Sequence, residues 1–296
     1  MPRHCCDQRH HAPLTTKNIG QIVSMMLQTP MLVAGYPEPT IRLAIFLAVF
    51  GAMALWEFLD PWRDAKQGRA VRWPANLGIF AIDIIVARIV FPASAVGVAI
   101  WAQASGFGLM PLLGLPALAA GIIGFIALDL MVYAQHVMFH KVPMFWRVHR
   151  MHHADTELDV TSGFRFHPIE IVVSLATKAA LIAVLGVPPE AVLVFEIVLN
   201  GMALYNHSNV RLPERVERVL RWFVVTPEMH IIHHSTARRE TDSNYGFNLA
   251  IWDRLFATYA HRPAAGYGGM VVGLDEFRDR SEQRVDKLVT QPFREG

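Results

Sequence analysis

Residues 89–128 read IVFPASAVGVAIWAQASGFGLMPLLGLPALAAGIIGFIAL, 40 residues without an Asp, Glu, Lys or Arg. One membrane crossing takes about 20 apolar residues, so this run suffices for two. Its middle, from Ser105-Gly106-Phe107-Gly108 to Pro111, is turn material. The stretch therefore predicts two helices joined by an uncharged turn, the first starting near Asn76 and carrying Asp83 and Arg88, the second running from about Leu112. Upstream, Ile41–Leu59 is a third span, with Arg42 and Glu57 near its ends, where Arg42 can snorkel. Downstream, Ile169–Gly186 and Ala191–Tyr205, joined by Pro188-Pro189, predict a helical hairpin carrying Glu170, Lys178 and Glu196. Its second arm is short for a full crossing. Composition agrees: 53% of residues are hydrophobic and 18% charged, against about 25% charged in soluble domains. Disorder over the whole chain is excluded. A disulfide scaffold is excluded too, because the only two cysteines, Cys5 and Cys6, are adjacent. A net charge of +2 leaves no nucleic-acid footprint.

The expected fold is all-α: a polytopic integral membrane helical bundle with a cytoplasmic, histidine-rich di-metal cap. Residues 1–25 read as a mobile polar tail without the apolar core of a signal peptide. Residues 26–296 read as one membrane-embedded domain, with spans near 40–59, 76–104 and 112–135, a hairpin at 169–206, and a cap from 136–168 and 207–262. The loop with Arg63, Lys66, Arg69 and Arg72, the loop with Lys141, Arg147, Arg150 and Arg165, and the Arg-rich tail all fall on one side. The positive-inside rule makes that side cytoplasmic, and a bacterial inner membrane suits the pattern. Arg3, Arg9 and Lys17 would then lie outside, in conflict with the rule, and an interfacial stretch near Ile22–Val33 would alter this end. Arg211–Arg221 with Trp222 and Phe223 reads as an interfacial helix or, equally, as an ordinary amphipathic packing helix.

Ten of the 14 histidines fall between His136 and His234. They form His136-x-x-x-His140, His149-x-x-His152-His153, and His230-x-x-His233-His234, with His167 and His207 single. Positions i, i+3 and i+4 share a helix face, so the three motifs present eight imidazoles together. One metal rarely takes eight, and two metals sharing them is the natural count. Imidazole suits Zn, Cu, Fe and Ni alike. His167 and His207 are further ligand candidates. Metal-bound histidines usually give their other N–H to a carboxylate or carbonyl. Asp129 lies on the helical face of Tyr133, His136 and His140, and Glu196 and Asn200 on that of His207, so these three are candidate partners. Asp155, Glu157 and Asp159 serve likewise or are simply solvated. In the tail, His4, Cys5, Cys6, His10 and His11 read chiefly as a polar terminus.

The three motifs, in this order and behind membrane spans, resemble the fatty acid hydroxylase/sterol desaturase superfamily over about Leu128 to Tyr259. Phe166-His167-Pro168, Asn206-His207-Ser208-Asn209, and Asn244-Tyr245-Gly246 followed by Leu249-x-x-Trp252-Asp253-Arg254 look like the sterol C5-desaturase branch and its bacterial relatives. The resemblance implies two non-haem iron ions held by His136, His140, His149, His152, His153, His230, His233 and His234, with His167 and His207 matching extra histidines of that branch. It implies O2-dependent hydroxylation or desaturation of an unactivated C–H bond in a lipid, whether fatty acyl, sterol- or hopanoid-like, or alkyl. Such carbons offer acid–base residues no purchase, so a redox metal carries the difficult step. The electrons come from a separate ferredoxin, cytochrome or reductase, since the chain has neither a GxGxxG fingerprint nor a cysteine set for an iron–sulfur cluster.

Two rivals stand against this reading. A membrane zinc hydrolase wants HExxH, and neither His136–His140 nor His230–His234 contains a Glu. A non-enzymatic metal-binding membrane protein of the carrier type wants ligands along a path through the bilayer, whereas these gather at one face.

Overall fold

The computed structural model describes residues 31–65 and 67–295. The expected tail at 1–25, with His4, Cys5, Cys6, His10 and His11, lies outside them, as does most of the 22–33 stretch. A two-stranded ribbon, β1 (Leu32–Val33) and β2 (Tyr36–Pro37), leads into helix α1 (Glu38–Leu59). Then come α2 (Arg69–Val90), α3 (Ala95–Ser105), α4 (Leu109–Leu112), α5 (Ala117–Lys141) and α6 (Pro143–His153). A 3-10 turn, Val160–Phe164, precedes α7 (Pro168–Leu185) and α8 (Pro189–His207). Short helices follow: α9 (Glu214–Leu220), α10 (Pro227–His233), α11 (Arg238–Thr241) and α12 (Ile251–Leu255). The molecule is predominantly helical. Helices α6, α7, α8 and α10 each begin on a proline, where the missing N–H costs nothing and the fixed φ suits the first turn.

Among the described residues, four segments are long and apolar enough to cross a membrane: Glu38–Leu59, Arg69–Leu112, Ala117–Lys141 and Pro168–Leu185. Their outer faces are apolar. Leu43, Leu47, Ile85, Ile89, Leu118 and Ile122 are exposed, while Glu57, Arg72, Asn76 and Asp129 are buried. That reversal of the soluble pattern marks an integral membrane protein, with lipid covering the outside and polar groups paired inside. The apolar centre is built by Ala99, Leu128, Ile182, Val192 and Phe195 from α3, α5, α7 and α8. The turn before α4 packs onto the end of α7. A Cβ on Gly108 would lie 2.4 Å from the Gly186 nitrogen, so only glycine fits.

Two boundaries differ from expectation. The helix expected from Asn76 starts at Arg69 and contains Pro74, because a helical first turn carries Arg72 into its buried partners on the cap. The span expected to run unbroken to residue 104 ends at Val90. Phe91-Pro92-Ala93 breaks it, and Ser94 caps α3 by accepting a 2.9 Å bond from the Gly97 nitrogen. The hairpin forms as two helices turning at Gly186–Pro188. The Arg-rich stretch at 211–221 gives only the seven-residue α9, with Trp222 and Phe223 exposed.

The cap extends past residue 262. Met270 and Val272 pack with Leu158 and Ile231. Leu288 packs with Ala75, Ile79 and Met151, fastening the C-terminal segment beneath α2 and α6.

Candidate metal centre

Nine histidines converge where α5, α6, α8 and α10 meet, in two groups. His136, His140, His149, His153 and His233 form one, and His152, His207, His230 and His234 the other. Within each group the ligand atoms all lie within 4.8 Å of one another. All nine are buried. Helical geometry explains the partition. Residues i and i+4 share a face, while neighbours in sequence point about 100° apart. On α6, His149 and His153 therefore serve the first group and His152 the second. On α10, His233 serves the first, whereas His230 and the following His234 serve the second. Each HxxHH motif gives a pair to one group and a single ring to the other.

Five of the nine outer nitrogens are hydrogen-bonded, while those of His140, His153, His230 and His234 are buried without a hydrogen-bond partner. His136 Nδ1 donates to the Tyr245 carbonyl at 2.8 Å, and His149 Nδ1 to Glu170 Oε1 at 2.8 Å. His152 Nδ1 donates to the Arg165 carbonyl at 3.2 Å, His207 Nδ1 to the Ala203 carbonyl at 2.7 Å, and His233 Nδ1 to the Ser243 carbonyl at 2.7 Å. His140 Nδ1 stands 3.5 Å from Asp242 Oδ1. Carbonyls only accept, so these rings carry their proton on Nδ1 and turn an Nε2 lone pair inward. Nε2 of His152 then faces Nε2 of His207 at 3.1 Å, two acceptors with no proton between them. His207 lies 2.9 Å from His230, and His230 lies 3.2 Å from His234, again between Nε2 atoms. In the first group, Nε2 of His136 and of His233 are buried without a partner.

Protonation does not relieve this. Burial first, and the neighbouring histidines second, push His152, His153, His230 and His234 well below the ordinary imidazole value. Burial takes His233 down to about 3. Neutral imidazoles with converging lone pairs fit a cation. Nitrogens about 2.0–2.1 Å from a metal stand roughly 3 Å from each other, the spacing found in the second group. A pair of metal ions fits this donor set.

The supports around the rings account for the loop motifs. Asp253 accepts from the Tyr245 and Gly246 nitrogens at 2.7 and 2.8 Å, shaping the loop whose carbonyl holds His136. Asn244 donates to the Met229 carbonyl of α10 at 3.0 Å. Asp129 accepts from Trp252 Nε1 at 2.7 Å and the Leu249 nitrogen at 3.2 Å. It therefore braces this loop rather than a histidine. Glu196 pairs with Lys178 and Arg42, and Asn200 lines a cavity; neither contacts a ring. The carboxylates that do stand beside rings are Glu170 and Asp242. Sequence reasoning placed Glu170 only as a charge on the hairpin; its position three residues after His167 carried no spacing signal toward His149.

The structure places His167 apart from both groups. It caps α7, its Nδ1 accepting from the Ile169 nitrogen at 3.1 Å, and its Nε2 faces the Val289 carbonyl at 3.1 Å. Both nitrogens are engaged, so it has none left for a metal.

Asp155 and Asp159 are not solvated. Arg72 binds Asp155 through Nε and Nη2, both at 2.7 Å, and Asp159 through Nη1 at 2.6 Å. Burial alone would raise the Asp155 carboxyl, but Arg72 and Arg165 outweigh it and hold it down at about 2. Arg165 is itself tied to the Met151 carbonyl at 2.8 Å and Gln283 at 2.6 Å. This network fixes the segment whose carbonyl orients His152. Gly163 lets the same segment approach α8, since a Cβ there would lie 2.6 Å from the Ala203 oxygen that holds His207.

A cavity of about 390 Å³ opens beside the histidines, bounded by α1, α2, α5, α7 and α8. Phe46, Phe80, Phe164, Leu175 and Leu199 make its wall apolar, and His136, His149, His152 and His230 reach one end. Phe166 stacks on His152 with ring centres 4.5 Å apart.

Comparison with known proteins agrees with this geometry. Residues 121–258 match the family described as fatty acid hydroxylase. The ornithine lipid hydroxylase OlsE of Rhizobium tropici is 31% identical over 142 residues, 48% of this chain and 42% of the relative. The alkylglycerol monooxygenases of Xenopus tropicalis and Homo sapiens are each 29% identical over 140 residues, 46% of this chain and 29% of theirs. The matched stretch thus spans less than half of each relative. No solved structure matches the chain significantly. Residues 121–258, which hold all nine clustered histidines, are thus the part of the chain that is similar to the fatty acid hydroxylase family and to these lipid hydroxylases and monooxygenases.

Proposed function

We propose that the chain is a di-iron, O2-dependent lipid hydroxylase. One iron is held by His136, His140, His149, His153 and His233, the other by His152, His207, His230 and His234. The observation that carries this is the set of converging Nε2 atoms, 2.9–3.2 Å apart, at the end of an apolar cavity within membrane helices. Bound iron supplies the activation of O2 that lets oxygen enter an unactivated C–H bond, chemistry beyond any acid–base side chain.

The protein's own residues do the rest. Carbonyls of Tyr245, Arg165, Ala203 and Ser243 and the carboxylate of Glu170 hold the imidazoles in one tautomer and orientation. The aromatic wall of Phe46, Phe80 and Phe164 receives an alkyl chain from the bilayer and excludes water from the reacting carbon. Electrons come from a separate redox protein on the cytoplasmic side of a bacterial inner membrane; the positive-inside rule, applied to the basic loops, supports that side. The relatives are named as hydroxylases and monooxygenases, which favours oxygen insertion over desaturation. Against a zinc hydrolase stands the donor set: nine imidazoles, and no carboxylate within either group to serve as general base.

Lipid mass spectrometry under 18O2, comparing cells with and without the protein, tests the reading. A lipid that gains one 18O only with the protein supports it. Incorporation from labelled water instead, or an unchanged lipid profile, would overturn it.

A further inference from the structure

The cavity has a second polar end that the histidine site does not use. Glu196 of α8 faces Arg42 Nη1 of α1 at 2.8 Å and Lys178 Nζ of α7 at 2.6 Å. All three line the cavity. Ionisable groups inside membrane helices are costly and mark ligand or ion sites by default. Glu196 has each oxygen against a cation, whereas a guanidinium carries five N–H donors and an ammonium three. Counting Glu38 the charges balance, but the wall at this end carries two cations against one carboxylate, with more N–H donors than acceptors. Glu38, 3.6 Å from Arg42, is not on the cavity wall. Asp83 and Glu170, the other carboxylates of the wall, neighbour one another at the histidine end, where Glu170 holds His149. On α8, Glu196 precedes His207 by 11 residues, roughly 16 Å of helix.

Resting on the lipid-hydroxylase reading, we propose that Arg42 and Lys178 bind the anionic head of the substrate lipid, a carboxylate or a phosphate, while its chain extends along the aromatic wall to the histidines. The separation of the two ends then selects the carbon that reacts. Sixteen ångströms of extended chain is on the order of a dozen carbons, given C–C bonds near 1.5 Å. Glu196 is a positioning residue that holds the two cations side by side.

Binding by the purified full-length protein in nanodiscs tests this without requiring turnover. The probes share a 16-carbon chain: palmitate, hexadecyl phosphate, hexadecanol and hexadecyltrimethylammonium. Palmitate or hexadecyl phosphate should bind about tenfold or more tighter than hexadecanol, as charge-assisted contacts require, and the ammonium should bind most weakly. The tighter of the two anions identifies the head as carboxylate or phosphate. Lys178→Met combined with Glu196→Gln removes one cation with its carboxylate and leaves Arg42 beside Glu38; it should reduce the preference and leave hexadecanol binding unchanged. Arg42→Gln should lower anion binding in the same direction. Equal binding of anionic and neutral probes, tighter binding of the ammonium, or a preference that survives both variants overturns the proposal. Absence of any head preference in the unmutated protein, with lipid hydroxylation intact, would sink the head site alone. A retained head preference without any lipid oxidation would sink the hydroxylase reading instead.

Discussion

The two histidine groups are built from the same motifs yet are supported differently. The first has five rings and stands next to two carboxylates, Glu170 at His149 and Asp242 near His140. The second has four rings, and its supports are main-chain carbonyls, Arg165 for His152 and Ala203 for His207. A carboxylate partner raises ligand basicity and can be changed by one side-chain substitution. A carbonyl partner depends on where the chain runs, and so on Gly163, Arg165 and the Arg72–Asp155 network. The first group mixes side-chain supports with the carbonyls of Tyr245 and Ser243, whereas the second is held by backbone carbonyls alone.

Losing a ligand from either group should have the largest effect. His140→Ala in the first and His152→Ala in the second should each abolish turnover and lower bound metal from two ions per chain to about one, read by metal analysis on folded protein. His207→Ala should behave like His152→Ala. Full metal occupancy in an inactive His207→Ala protein would remove it from the ligand set.

Changing a support should cost less and affect one group selectively. Glu170→Gln should weaken metal retention or activity by roughly 10–100-fold, with the loss confined to the first group. Gly163→Ala pushes against the Ala203 oxygen and should loosen the second group. Competition with a chelator, followed spectroscopically, separates the two. Equal loss from both groups in both variants would break the distinction.

The buried Arg72–Asp155 pair should show in stability. Asp155→Asn leaves Arg72 short of a partner and should cost about 3–5 kcal/mol. The folded Asp155 carboxyl sits at about 2, below its ordinary 3.8. Its contribution is therefore complete above pH 4 and is lost as pH falls from 4 toward 2. Acid unfolding of Asp155→Asn should be flatter than wild type across that window. The smallest effect belongs to His167→Ala, which removes a helix cap worth about 1 kcal/mol and should leave both metals and turnover in place.

Much of this was legible in the sequence because hydropathy and helical periodicity are local properties. The charge-free run at 89–128 announced the membrane segments, and three motifs at i, i+3 and i+4 spacing announced the histidine cluster. His207 was singled out from a face shared with Glu196 and Asn200, and its ring joins the second group, although those neighbours do not touch it. What stayed hidden depends on distant packing. Pro74 and Asn76 gave no sign that α2 begins at Arg69, because that start is stabilised by Asp155 and Asp159, more than 80 positions away. His167 sits in a motif beside the cluster in sequence, yet its role as a cap is set by the Ile169 nitrogen and the Val289 carbonyl. The division of each HxxHH motif between two groups follows from 100° per residue, but which ring joins which group requires knowing where α10 faces α6.

The most direct measurement is metal stoichiometry with X-ray absorption on gently purified, active protein. Two iron ions per chain in a nitrogen-rich shell, falling to about one in both His140→Ala and His152→Ala, is the expected result. Activity with a single metal per chain, or a two-metal protein in which His152→Ala keeps both ions, would contradict the two-centre arrangement.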